Sequence, residues 1–128
     1  MRYFLDTHVL LWWRLDDPRL PSHWDHRLTD SDNEILFSLV SIWEISIKRK
    51  IGKLKIEGST EDFARTLVTK HGFQQVPLEL HEICRTEILP DHHRDPFDRL
   101  LISQALELGA VAVTNDQNWK DYPVKVEF

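Results

Sequence analysis

The chain has 128 residues, 41% of them hydrophobic, with 16 Lys and Arg against 21 Asp and Glu for a formal charge of −5. That length suits one domain with a core large enough to need no cross-link, and the apolar content with five tryptophans excludes disorder. A single cysteine, Cys84, excludes an internal disulfide and a Cys-rich zinc site, and no apolar run approaches a membrane span.

Asp6 interrupts what would be a signal-peptide core, so a soluble, cytoplasmic protein without membrane contact is expected. Taken alone, the charge speaks against a polyanionic partner. Tyr3-Phe4-Leu5 predicts a first strand that closes at Asp6, followed by a short helix bearing Val9, Leu10, Trp12 and Trp13. Pro18 and Pro21 break that helix, and another covers about Ser22 to Leu28. Glu34 to Phe37 reads as a second strand. Ser41, with Glu44 three residues later, has the spacing of a capping box for a helix that stops near Gly52. Ser59 or Thr60 starts the next helix. Phe73 to Pro77 is an edge strand or strand end because of Pro77. Leu80, Ile83, Cys84, Ile88 and Leu89 predict a helix with a buried stripe that includes the cysteine. Asp95-Pro96 is a strong helix start and Gly109 a stop. Ala110 to Thr114 fits a strand buried on both faces, and Val124 to Val126 a last short strand. The alternation points to an α/β class with a parallel sheet and no internal boundary.

The informative acids stand at the ends of these elements. Asp6 follows the first strand and Asp116 the Val111–Thr114 strand; Glu44 and Asp98 lie in the first turns of helices after strands or loops. Ligands of an open parallel sheet bind beyond the carboxyl ends of its strands, so four carboxylates converge on one edge. Such a group needs a cation, and oxygen donors without cysteine favour Mg²⁺ or Mn²⁺ over Zn²⁺. That suits phosphodiester hydrolysis by metal-activated water. Each acid also has a plainer reading. Asp98 can serve as the third residue of a capped helix, Glu44 as half of a capping box, and Asp116 as a turn residue.

Four blocks carry a resemblance. Phe4-Leu5-Asp6-Thr7-His8-Val9-Leu10-Leu11-Trp12, Ser41-Ile42-Trp43-Glu44-Ile45-Ser46-Ile47-Lys48, His93-Arg94-Asp95-Pro96-Phe97-Asp98-Arg99-Leu100-Leu101-Ile102-Ser103-Gln104-Ala105 and Val113-Thr114-Asn115-Asp116 resemble, in order, the motifs of PIN-domain proteins. The third block is similar to one branch of the VapC-like toxins. The resemblance implies a single PIN domain over residues 1–128, a three-layer α/β/α sandwich around a central parallel sheet. It implies a Mg²⁺- or Mn²⁺-dependent endoribonuclease, the toxin of a type II toxin–antitoxin pair. Asp6, Glu44, Asp98 and Asp116 match the metal-binding and catalytic acids, of which the fourth varies most. Thr7 and Thr114 match polar positions beside the metal, with Ser41 near them, and Asp95 matches a residue usual in this branch that reads here as an N-cap. The expected partners are RNA, a VapB-like antitoxin, a second copy of the chain, and DNA only through the antitoxin. The expected products carry a 5′-phosphate and a 3′-hydroxyl.

Lys48, Arg49, Lys50, Lys53 and Lys55 crowd the end of the Glu44 helix, more cations than the helix dipole needs; with Arg99 they are candidate contacts to RNA phosphates. His92-His93 lacks the further ligands of a zinc site and reads as a polar loop. Trp12 and Trp13 cannot share one narrow helix face, so one is expected at an interface. The rival readings are a haloacid-dehalogenase-like phosphatase, opposed by His8 where a second acid belongs, and a catalytically silent RNA-binding module on the same fold. With four acids assigned to a cation, 17 of 21 acids remain against 16 bases, so the acidic total no longer argues against RNA.

Overall fold

The side chains of strand β1 (Arg2–Leu5) divide with the strand period: Tyr3 and Leu5 enter one core and Phe4 the other. The division recurs in β2 (Glu34–Ser38), with Ile35 and Phe37 opposite Leu36, and in β4 (Val111–Val113), with Val111 and Val113 opposite Ala112. A sheet apolar on both faces must be covered on both. In the computed structural model, which describes residues 1–128, this is done by helices on each side of five parallel strands. The strand order is β3-β2-β1-β4-β5, with β3 (Gln74–Val76) and β5 (Val126–Glu127) at the edges.

On one face lie α1 (Thr7–Arg14), α2 (His23–Thr29) and α4 (Thr60–Thr69), which supply Val9, Leu10, Trp24, Phe63 and Leu67. On the other lies α6 (Pro96–Leu108), with Leu101, Ile102 and Ala105, beside Trp119 and Tyr122 of the C-terminal segment. Helix α5 (Leu80–Arg85) packs on α6. The architecture is the expected three-layer α/β/α sandwich. Helix α3 (Leu39–Lys50) differs from the rest. It touches α1, α4 and α6, and gives Val40 to one core and Ile45 to the other. No helix is long and apolar enough to cross a membrane.

The ends of α6 follow their sequence signals. The Asp95 carboxylate accepts the Phe97 amide at 2.8 Å, Pro96 is the first helical residue, and Gly109 closes the helix at φ +61°, where a side chain would be strained. Three expectations are corrected. The cap of α3 is Ser38, whose hydroxyl accepts the Val40 amide at 3.0 Å; Ser41 lies inside the helix, so it forms no capping box with Glu44. An N-cap needs extended backbone, and the chain still has it at Ser38, where β2 ends. Of the stripe expected here only Leu89, beyond the end of α5, is buried: Leu80, Ile83, Cys84 and Ile88 are exposed, whereas Glu82 faces inward and completes a capping box with Glu79. Lastly, Trp12 is buried and Trp13 is half-buried against His71 and Phe73, while the tryptophan most open to solvent is Trp43, on another helix.

Candidate functional site

The strand order reverses between β1 and β4, which opens a crevice at their carboxyl ends. Asp6 leaves β1 there, still joined to β4 through its amide and the Val113 carbonyl at 3.1 Å. Its carboxylate is fixed twice. One oxygen caps α1 by accepting the Val9 amide at 2.8 Å, and the other accepts the Thr114 hydroxyl. The Thr114 oxygen in turn accepts the Asp116 amide at 3.1 Å, so one threonine ties the acids after β1 and β4 together. Thr7 donates to Ser41 at 2.9 Å, which pins the start of α1 to α3 and thereby fixes Glu44 one turn further on.

Glu44, nearly buried, meets the Lys48 ammonium at 3.0 Å across one turn of α3. Asp98 enters from the first turn of α6. The electrostatics bind the four acids into one group. Burial pushes the Asp6 carboxyl up to about 6, and the charges of Asp116 and Glu44 add to the rise. Burial likewise pushes Asp98 up to about 7, with Asp95, Asp6 and Glu44 adding and His93 opposing. Carboxylates from four distant places in the chain thus feel one another's charge at the same sheet edge.

His93, read from sequence as part of a polar loop, stands against two of these acids, Asp116 and Asp98. Its Nε2 lies 2.7 Å from an Asp116 oxygen and 3.3 Å from Asp98, and the three ligand-type atoms fall within 4.8 Å of one another. Its Nδ1 accepts the Asp95 amide at 3.1 Å, which assigns the ring hydrogen to Nε2, facing the carboxylates. The loop is held from two sides. The Tyr122 hydroxyl accepts the His93 amide and donates to Pro90, and the Arg99 guanidinium donates to the carbonyls of Thr86, Leu89, Pro90 and His93. The only local signal for His93 was its place two residues before the Asp95 cap.

Arg99 is therefore a loop-holding residue, its guanidinium engaged by the chain itself. Arg49 is similar: it donates to Thr60, Ile56 and Gly58 and fastens the α3–α4 connection. A planar guanidinium meets several carbonyls at once, which a single ammonium cannot. Arg99→Lys is expected to cost about 2 kcal/mol and to loosen the His93 loop; thermal denaturation would read the first and faster amide hydrogen exchange at His93 the second. Lys50, Lys53 and Lys55 are exposed and form no ion pair in the chain.

The donor set is oxygen-rich and free of cysteine, and it holds two carboxyls whose ionisation is opposed by neighbouring negative charge. These residues fit a divalent cation of the Mg²⁺ or Mn²⁺ kind.

Comparison with known proteins agrees with the fold. No curated protein matches the sequence significantly. Among solved structures, VapBC2 from Rickettsia felis bound to a DNA fragment from its promoter superposes with a TM-score of 0.72 at 18% identity, over 99% of this chain and 98% of that one. DNA-bound VapBC from Salmonella typhimurium gives 0.69 at 14%, over 99% and 97%. VapBC-1 from nontypeable Haemophilus influenzae gives 0.60 at 20%, over 99% and 97%. The sequence profile of the PIN domain matches residues 3–125, so the chain belongs to the PIN domain family.

Proposed function

We propose that this chain is a metal-dependent endoribonuclease and the toxin of a toxin–antitoxin pair. The observation that carries the reading is the linkage at the carboxyl ends of β1 and β4, where Thr114 bridges Asp6 and Asp116 and His93 joins Asp116 to Asp98. Bound Mg²⁺ or Mn²⁺ would supply positive charge against the phosphate and lower the pKa of a water for in-line attack. The chain's own residues do the positioning. Thr114 and the Val9 amide keep Asp6 from rotating, Ser41 and Thr7 fix the start of α3, and Lys48 balances Glu44. His93 keeps Asp98 and Asp116 from repelling each other apart. The unpaired Lys50 and Lys53 then meet the RNA backbone outside the acids.

The structures similar to this chain are VapBC complexes, two of them on DNA, which supports a VapB-like antitoxin here and operator contact through it. Pairing of two copies belongs to the same reading. The exposed Leu80 and Ile83 of α5, with Ile88 just after it, offer an apolar surface for it, and light scattering at micromolar concentration is expected to return twice the chain mass.

The test is cleavage of single-stranded RNA with Mg²⁺, with Mn²⁺ and with EDTA. Cleavage is expected with either ion and none with EDTA. Products that form equally fast in EDTA would sink the metal-dependent reading.

A further inference from the structure

Of the five tryptophans only Trp43 is largely open, at 56% exposure. It immediately precedes Glu44 on α3. Its ring meets Phe97, which immediately precedes Asp98 on α6, edge to face at 5.1 Å between centroids. The two helices that deliver Glu44 and Asp98 are thus joined, one residue before each acid, by an aromatic pair with an open indole face. Single exposed apolar side chains are common, but this ring is braced by a second ring on the other acid-bearing helix, a position from which it can meet an occupant of the site.

The same helix indicates what that occupant is. Lys50 lies seven residues beyond Trp43, about two helical turns on the same face and roughly 10.5 Å along the axis. Lys50 is exposed and unpaired, as are Lys53 and Lys55 in the connection that follows, so an open aromatic ring and a free cation share one face of α3. Aromatic rings with adjacent cations recognise single-stranded nucleic acid, because every base has a π-face while the phosphates follow the charge. In a duplex those faces are already stacked.

We infer that Trp43, braced by Phe97, is a stacking platform for one nucleobase of the substrate, and that it restricts the site to unpaired RNA. The inference rests on the ribonuclease reading above and adds the side chain that would meet an unpaired base.

The experiment measures binding of a fluorescein-labelled ten-nucleotide single-stranded RNA, and of the same sequence as a duplex, by anisotropy in EDTA. The proteins are wild type, Trp43→Phe and Trp43→Leu. Wild type is expected to prefer the single strand. Trp43→Leu is expected to raise Kd for it about tenfold with little change for duplex, and Trp43→Phe to stay within about threefold of wild type. Because Trp43 is exposed, both variants are expected to melt with wild type. Equal single-strand affinity of Trp43→Leu and wild type overturns the platform, even where wild type cleaves RNA with Mg²⁺. A wild type that neither binds nor cleaves RNA defeats the ribonuclease reading instead. Conversion of a dimer to a monomer by Trp43→Leu in light scattering would place the ring between two copies and also overturn the platform.

Discussion

Asp98→Asn is expected to slow RNA cleavage by at least about two orders of magnitude and, without metal, to make the protein more stable at pH 8. Both effects have one origin. In the folded chain the Asp98 carboxyl is pushed up to about 7 by burial and by Asp95, Asp6 and Glu44, far above the value it has when unfolded. From about pH 4 to 7 the folded state therefore holds more protons than the unfolded state, and stability falls as pH rises through that window. Asp6, pushed up to about 6, acts with the same sign over a lower range. Asparagine does not ionise, so the variant escapes its share of the penalty. It is expected to match wild type near pH 4 and to exceed it by about 2 kcal/mol at pH 8. Added Mn²⁺ should raise the melting temperature of wild type at pH 8, much less at pH 5, and hardly at all in the variant. Urea unfolding at the two pH values with and without Mn²⁺ reads all of this, and a variant less stable than wild type at pH 8 would contradict the account.

Gln104→Ala is expected to cost about 3 kcal/mol, the largest stability loss for a polar position in this chain. Gln104 is fully buried on α6. Its carbonyl accepts the Ser38 hydroxyl, and its amide donates to the Pro77 carbonyl at 3.1 Å and to Glu82 at 3.3 Å. It thus joins the ends of β2 and β3 and the inward carboxylate of α5. Alanine would leave buried polar groups without partners and open a void. Glu82 stays attached to the Glu79 amide, so the residual fold should persist. Chemical denaturation would measure the loss, and a cost below about 1 kcal/mol would show that water replaces the amide.

What the sequence disclosed and what it hid follow the reach of the interactions. The ends of α6 and the position of β4 rest on near neighbours: Asp95 before Pro96, Gly109 after the last turn, and an unbroken run of small and branched residues. These were legible. The start of α3 was misplaced because two serines three residues apart both carry the cap signature. Only the end of β2 decides between Ser38 and Ser41. On α5 the apolar spacing was real but pointed outward, since the inward position is held by Glu82 through bonds to Gln104 and the helix start. Topology alone was enough to expect the four acids on one edge. His93 could not be expected there, because Arg99 and Tyr122, which hold it in place, act from six and 29 positions away.

The amide hydrogen that Asp95 gives to His93 bears on which ions the crevice can take. An imidazole has one lone pair to offer a metal, and here it is occupied at Nδ1 by a backbone N–H that cannot be removed. The nitrogen facing the acids carries a hydrogen, so it is a donor and not a ligand. A crevice with histidine against its acids would ordinarily attract zinc or copper. In this fold the single backbone bond makes that nitrogen a donor, so on the proposed reading a bound cation would meet carboxylate oxygens, and the helix start that presents Asp98 would also bear on which metals are accepted.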